Sequence, residues 1–320
     1  MHLRALEIFC DVVSRRSFSQ AARENGMSQS AVSQAVHQLE TELGVQLLDR
    51  SKRPFVVTAE GKVYYDGCRK LLRRWRALID DVRTLHEEVS GRVHVASIYS
   101  VGLSHINTVV QRFMMRYPKA NVRVEYQHPD RVYRLVEDDR VDIGLVSYPR
   151  ASRQIKVTPW REETMVAVLA PNHPLVASPW IEANDLEGRA MVGFDRDLKI
   201  RQEIDRELAA RDIHVDIVME FDNIETIKRA VEINAGLSLL PAPTVVREVA
   251  AGSLVARPLA NLSLTRPLGM IRRAGGTLSA TARRFVQFLS EQSQVASIPG
   301  LKTASVLLAR TGQPASGVLE

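Results

Sequence analysis

The chain has 320 residues, 45% of them hydrophobic, and a formal charge of +6; that length predicts two domains, and that apolar content excludes a disordered polymer. Two cysteines, and eight histidines with no pair at metal-ligand spacing on a helix, argue against a disulfide scaffold, a zinc site or another bound cofactor. The basic balance permits a polyanionic partner without naming one.

The opening stretch MHLRALEIFCDVVSRRSF is interrupted by Arg4, Glu7 and Asp11, so it does not read as a signal peptide, and no long transmembrane run follows it. The expected location is therefore the cytoplasm, at the nucleoid, with no membrane partner. Leu3, Leu6, Phe9, Val12 and Val13 recur at helical spacing. Ser17 reads as the cap of a second helix that Asn25 and Gly26 stop, and Ser28 as the cap of a third running through Ala31, Val32, Val36, Leu39 and Leu43. Helix, tight turn, helix is the arrangement that places its second helix in the DNA major groove. The outward residues Gln29, Ser30, Ser33, Gln34 and His37 are the short donors and acceptors such a helix needs, while Ala31, Val32, Val36 and Leu39 face inward. Any one Gln or Ser taken alone is more simply a solvated helix position; the combination carries the assignment.

From Asp49 to Gly61 basic, proline and β-branched residues alternate, which suits a short two-stranded wing whose Arg50, Lys52 and Arg53 reach phosphates or the minor groove. Between Arg50 and Arg76 nine basic residues stand against Glu60 and Asp66. A second pattern then starts at Tyr64: Tyr64, Cys68, Leu71, Trp75, Leu78, Val82, Leu85 and Val89 alternate steps of four and three, a heptad seam. One long helix packed on its own domain is the plainer alternative. Arginines around a narrow apolar stripe favour pairing with a second copy, and a twofold pair of recognition helices would read an inverted repeat.

The stretch from Ser17 to Gly61, SFSQAARENGMSQSAVSQAVHQLETELGVQLLDRSKRPFVVTAEG, resembles the N-terminal signature of the LysR-type transcriptional regulators almost continuously. Gln34 departs from it, standing where many members carry Arg, which removes a bidentate guanine or phosphate contact. The resemblance implies an all-α winged helix-turn-helix over 1–58, a linker helix over 59–90 and an effector-binding domain over 91–292. The candidate DNA-contacting residues are Ser17, Ser28, Gln29, Ser30, Ser33, Gln34, His37, Arg50, Lys52 and Arg53.

Beyond Ser90 and Gly91 the texture is that of an α/β domain. Strands are predicted over 92–97, 122–127, 143–147, 164–169, 190–194, 215–221, 237–240, 254–259 and 268–272, and helices over 103–117, 130–138, 199–210, 224–235 and 279–289. The chain is predicted to leave a first subdomain (91–161 and 266–292) near Trp160 for a second (162–265) and to return near Arg266, two crossings that make a hinge. This order, with VDIGLVSYP and INAGLSLLP, is similar to the two-subdomain, periplasmic-binding-protein-like effector domain of the LysR family. The resemblance implies a cleft lined by residues that follow the strands: Ser97, Tyr99, Ser100 and Val101, then His128 to Arg131, Ser147, Phe194 to Arg196, and Asn223 to Glu225. Helix N-termini there favour anionic groups, and Arg196 is a candidate partner for a carboxylate. Singly, each serine reads as a helix cap and each arginine as a solvated charge, and FDRDLKIR is too mixed in sign for a simple anion clamp. Residues 293–320, rich in Ser, Ala, Gly and Pro around Val306 to Leu308, are predicted to be disordered.

No nucleophile elbow, P-loop, dinucleotide fingerprint or zincin motif occurs, so an enzyme is disfavoured, as is a solute-binding protein, which would lack the helix-turn-helix. The expected function is a sequence-specific transcriptional regulator. Its partners would be double-stranded promoter DNA carrying an inverted repeat, a small-molecule effector such as a carboxylate, its own copies as homodimer or homotetramer and, as the resemblance implies, RNA polymerase. Activation is favoured over repression.

Overall fold

The computed structural model describes residues 3–84 and 89–292. Leu85 of the heptad reading and the tail 293–320 lie outside the described residues. The chain forms two compact units that divide at Val89 and Ser90, with Thr277–Ala280 grouped with the first.

The first unit is helical. Helices α1 (Leu3–Arg15), α2 (Phe18–Asn25) and α3 (Gln29–Leu43) are followed by strands β1 (Leu48–Asp49) and β2 (Val56–Val57) and by the 26-residue helix α4 (Ala59–Thr84). The tight turn after α2 depends on Gly26, whose φ of 62° places it in the left-handed region; its N–H reaches the carbonyls of Ala22 and Arg23, closing the helix. Leu48 and Asp49 pair antiparallel with Val57 and Val56, which makes the two-stranded wing. Phe9, Val12, Ala21, Val32 and Val36 are fully buried at the centre of the unit.

The second unit begins with a parallel trio, β3 (Gly91–Ser97), β4 (Ala120–Tyr126) and β5 (Ile143–Ser147), separated by the short helix α5 (Tyr99–Val101), a π-helical turn at Gly102–Ile106, α6 (Asn107–Arg116) and α7 (Pro129–Glu137). Buried on both faces, β5 reads as a continuous apolar run, as parallel strands do. Gly144 on β5 lets the layers close: an added Cβ would stand 2.7 Å from Ile271 and 2.8 Å from Val132.

The chain then runs through the long strand β6 (Ile155–Leu169), followed by β7 (Ala190–Phe194), α8 (Lys199–Ala209), β8 (Asp216–Phe221), α9 (Ile224–Glu232), β9 (Ser238–Pro241), α10 (Val246–Ala251), β10 (Val255–Pro258), β11 (Thr265–Arg273) and α11 (Ala280–Glu291). The principal sheet has the order β10-β6-β11-β5-β3-β4, with β9 also on β6, while β7 and β8 pair separately in parallel.

Several elements differ from the sequence reading: α10, six residues with none buried and so no apolar periodicity, was not expected, and β11 starts at Thr265 rather than Leu268. β6 starts at Ile155 rather than Thr164, because Lys156, Thr158, Arg161 and Glu162 disguise a strand that β11 pairs from Ile155 to Thr164; Pro159 is tolerated where the register shifts at Leu268/Gly269. The helix expected over 103–117 is instead a short α turn, a π turn and then α6.

Candidate DNA interface and effector cavity

In the first unit, two of the candidate hydroxyls cap helices. The Ser17 Oγ accepts from the Gln20 N–H at 3.2 Å, and the Ser28 Oγ accepts from the Ala31 N–H at 3.1 Å while lying 2.9 Å from the Ser30 Oγ. Ser19 donates to the Gln29 Oε1 at 3.0 Å, which ties the first residue of α3 to α2. Gln29, Ser30, Gln34 and His37 are exposed and Ser33 is half-buried, against the buried Val32, Val36 and Leu39; Ala31, expected inward, is half-buried. The outward set therefore forms one polar stripe on the helix that begins immediately after the tight turn.

A carboxylate that the sequence reading passed over fixes the wing. Glu40, 8% exposed, accepts from the Leu47 and Leu48 N–H groups at 2.9 and 3.0 Å through Oε1, and from Arg50 at 3.0 Å through Oε2. The Arg50 guanidinium also stands 5.4 Å over the Phe18 ring, so its charge is anchored, while Lys52 and Arg53 at the wing tip are exposed. The signal for Glu40 was its position on the apolar face of α3, where a lone carboxylate needs partners.

The heptad seam splits on inspection. Cys68 is buried in the unit's own core and Tyr64 packs against it, its ring 5.5 Å from that of Phe9, so these two positions face α1. Leu71, Trp75, Leu78 and Val82 keep the 4-3-4 spacing and are 43–55% exposed. The reason is positional: α1 and the helix-turn-helix core reach α4 through Cys68 and Leu72, leaving the adjacent stripe uncovered.

In the second unit a cavity of about 510 Å³ opens where several elements end. Its wall takes Tyr99 and Ser100 after β3, Gln127 to Asp130 after β4, and Ser147 and Tyr148 after β5; opposite lie Asp197 to Ile200 at the start of α8 and Asp222 to Ile224 at the start of α9. The first turns of α7, α8 and α9 thus converge on one space, and neither His128 nor Leu198 caps its helix with a side chain. Their free N–H groups offer donors to an acidic ligand group.

Of the residues expected here, Tyr99, Ser100, His128 to Asp130, Ser147, Asn223 and Ile224 line the cavity, whereas Arg131, Phe194, Asp195 and Glu225 do not. Ser97 is fully buried and donates to the Ile98 carbonyl at 3.0 Å, and Val101 is fully buried beneath the wall. Arg196 does not line the cavity; its side chain, 78% exposed, pairs with Glu220 at 3.1 Å, because that carboxylate on β8 also binds Arg201 at 2.7 Å and draws both arginines to its own strand.

The cations that do reach the cavity are Arg150, Lys199 and, on β11, Arg266. Only 2% exposed, Arg266 donates Nη1 to the Ser100 Oγ at 2.9 Å and Nε to the Glu163 Oε2 at 2.7 Å, with Nη2 on the same oxygen. Glu163 Oε1 meets His105 Nε2 at 2.5 Å, and His105 sits in the π turn. Burial by itself would raise the Glu163 carboxyl, but the charge of Arg266 and the hydrogen bond and charge of His105 outweigh it and hold the group below the usual carboxylate range. The Tyr148 phenol in the wall, raised to about 12 by burial, stays neutral and donates to the Thr265 carbonyl at 3.2 Å.

A winged helix-turn-helix followed by an α/β unit that holds a polar cavity defines a DNA-binding regulator with an effector domain. A profile of the bacterial regulatory helix-turn-helix proteins of the lysR family matches residues 3–62, and a profile of the LysR substrate binding domain matches residues 86–294. The chain belongs to the LysR family of transcriptional regulators. The HTH-type transcriptional regulator YeiE of Escherichia coli strain K12 is 32% identical over 288 residues, spanning 89% of this chain and 96% of that protein. Among solved structures, a full-length OxyR variant from Pseudomonas aeruginosa superposes with a TM-score of 0.68 at 21% identity, over 91% of this chain and 94% of that one. Full-length CbnR complexed with its target DNA gives 0.65 at 18%, over 91% and 99%. Among the described residues, no helix is long and apolar enough to cross a membrane.

Proposed function

We propose that this regulator works in the cytoplasm as a homodimer or homotetramer that reads a promoter inverted repeat and activates transcription, through RNA polymerase, when a small molecule occupies the cavity. The observation that carries the oligomeric reading is the exposed stripe Leu71, Trp75, Leu78 and Val82: four large apolar side chains at heptad spacing on one helix are an interface awaiting its equal. Paired copies multiply weak half-site affinities, which suits a recognition stripe built from glutamine, serine and histidine. In this reading Gln29, Ser30, Ser33, Gln34 and His37 read bases, while Arg50, Lys52 and Arg53 hold the backbone.

The effector reading rests on Tyr99, Ser100, Ser147, Asn223 and Arg266, with the uncapped starts of α7 and α8, around one cavity. Closure of the two subdomains on the ligand changes the spacing of the recognition helices or the DNA bend. The test is capture of genomic DNA fragments by the purified protein, with and without a panel of metabolites that includes small carboxylates. Enrichment of a few promoters with an inverted repeat, altered by one metabolite, is the expected result. Binding that is salt-sensitive but indifferent to sequence would defeat the proposal.

A further inference from the structure

Four side chains in succession join the π turn to the cavity wall. His105 and Glu163, 6% and 1% exposed, meet at 2.5 Å between Nε2 and Oε1. Glu163 Oε2 is held by the Arg266 Nε at 2.7 Å and by its Nη2, and Arg266 Nη1 reaches the Ser100 Oγ at 2.9 Å. Chemistry fixes the direction of every bond. Glu163, held below the usual carboxylate range, is ionised at neutral pH. An ionised carboxylate only accepts and a guanidinium only donates, so His105 and Arg266 both donate to Glu163, and Arg266 donates to Ser100. That last bond occupies a lone pair of the Ser100 oxygen and turns its proton away from the guanidinium. Among the described residues the proton meets no acceptor, and Ser100 lines the cavity.

We propose that His105 and Glu163 are positioning residues: by holding Arg266 they commit the Ser100 hydroxyl to donate into the cavity, so that the site selects a ligand with an acceptor oxygen there and rejects an isostere that only donates. The inference rests on the reading of the cavity as the effector site and names what that site discriminates. Bulk charge does not make this choice. Asp130, Glu137, Asp197 and Asp222 line the same cavity as Arg150 and Lys199, Lys199 is paired with Glu203 at 2.7 Å, and Arg266 is neutralised by Glu163. Hydrogen-bond polarity does make it: two donors brought face to face are both left unpaired, and Arg266, pinned through two nitrogens on Glu163, does not turn to relieve them.

His105 does not line the cavity and acts only through Glu163. The π turn that carries it is itself clamped. Gly102 lies so close to the Tyr126 ring that an added Cβ would overlap it, and the Tyr126 hydroxyl donates to the Asn107 Oδ1 at 2.8 Å, just past the other end of the turn. Such turns inside helices concentrate at functional sites.

The test uses the full-length protein and three isosteres, cyclohexanecarboxylate, cyclohexanecarboxamide and cyclohexanecarboxamidine, titrated by calorimetry at constant ionic strength. The wild type is expected to bind the carboxylate about tenfold more tightly than the amidine, with the amide between them. Ser100→Ala is expected to weaken the carboxylate about tenfold and to leave the amidine unchanged. His105→Leu is expected to bring the carboxylate-to-amidine ratio close to one, and His105→Gln, whose amide N–H still donates to Glu163, to restore most of it. A merely structural role for His105 would weaken all three probes alike and leave the ratio as it was. Without any probe or variant, the imidazole nitrogen shifts of His105 are expected to show Nε2 protonated; a bare Nε2 would break the chain at its first link. An amidine bound as tightly as the carboxylate by the wild type would overturn the proposal while leaving the cavity an effector site. A ratio that persists in His105→Leu would overturn the positioning role, and Ser100→Ala without effect would overturn the donor. Binding of none of the three at millimolar concentration would remove the cavity reading and this inference together.

Discussion

Each of the two units keeps a buried carboxylate, and the two are satisfied at opposite sequence ranges. Glu40 takes its three donors from Leu47, Leu48 and Arg50, at most ten residues away, and fixes how the wing leaves α3. Glu163 takes its donors from His105 and Arg266, 58 and 103 residues away, and holds the π turn and β11 together beneath the cavity. The recognition unit is thus held by local chemistry that any folded version of the segment would reproduce, whereas the effector unit is held by charges that meet only once the whole sheet has formed.

The largest effect is expected at the long-range pair. Glu163→Gln keeps the side-chain volume but leaves Arg266, 2% exposed, as a buried charge without its counter-ion. Breaking one partner of such a pair is expected to cost about 3–5 kcal/mol. Urea unfolding followed by hydrogen exchange in β6 and β11 measures it, and protection in α1 to α3 should be unaltered. A loss under about 1 kcal/mol would mean that water from the cavity rehydrates Arg266. Because Glu163 is held below the usual carboxylate range, its contribution is present above the unfolded value near ~4.3 and disappears as pH falls through the folded value, lower still. The stability gap between wild type and Glu163→Gln should therefore be constant at neutral pH and close only in acid below about pH 4.

The local carboxylate should matter less. Glu40→Ala strands the Leu47 and Leu48 N–H groups and frees Arg50, with an expected loss of about 2 kcal/mol from unsatisfied buried donors. Hydrogen exchange should report the loss in the wing and the end of α3 only, with β6 and β11 unchanged. A loss that spread to the effector unit would break the contrast between local and long-range support.

The same difference in range explains what could be read from the residues. Ser17, Gly26 and Ser28 announce their helix boundaries through chemistry within a turn of themselves, and the structure has α2 and α3 where those residues put them. The strands of the effector unit were legible where they are apolar, as in β5 and β7, and hidden where polar residues pair with β11, as in the first half of β6. Arg266 was legible only as the place where the chain returns, because nothing near it in sequence signals Glu163 or Ser100. Arg196 drew attention by following a strand, yet Glu220 holds it outside the cavity. Heptad spacing found the helix but not which stripe is covered, since Cys68 and Leu71 differ in burial through what α1 reaches.

The smallest expected effect tests the local side at its finest grain. Ser28 caps α3 through the Ala31 N–H, so Ser28→Ala should cost about 1 kcal/mol of stability in the first unit. Ser17→Ala removes the equivalent bond to the Gln20 N–H of α2 and should cost about the same. Their consequences for DNA separate them. Ser28 immediately precedes the polar stripe of α3, and fraying that first turn loosens Gln29 and Ser30, whereas α2 carries none of the stripe. Ser28→Ala should therefore weaken binding to a selected promoter more than binding to mixed-sequence DNA, and Ser17→Ala should weaken both alike. Equal discrimination by the two variants would mean that the start of α3 contributes position but no base reading.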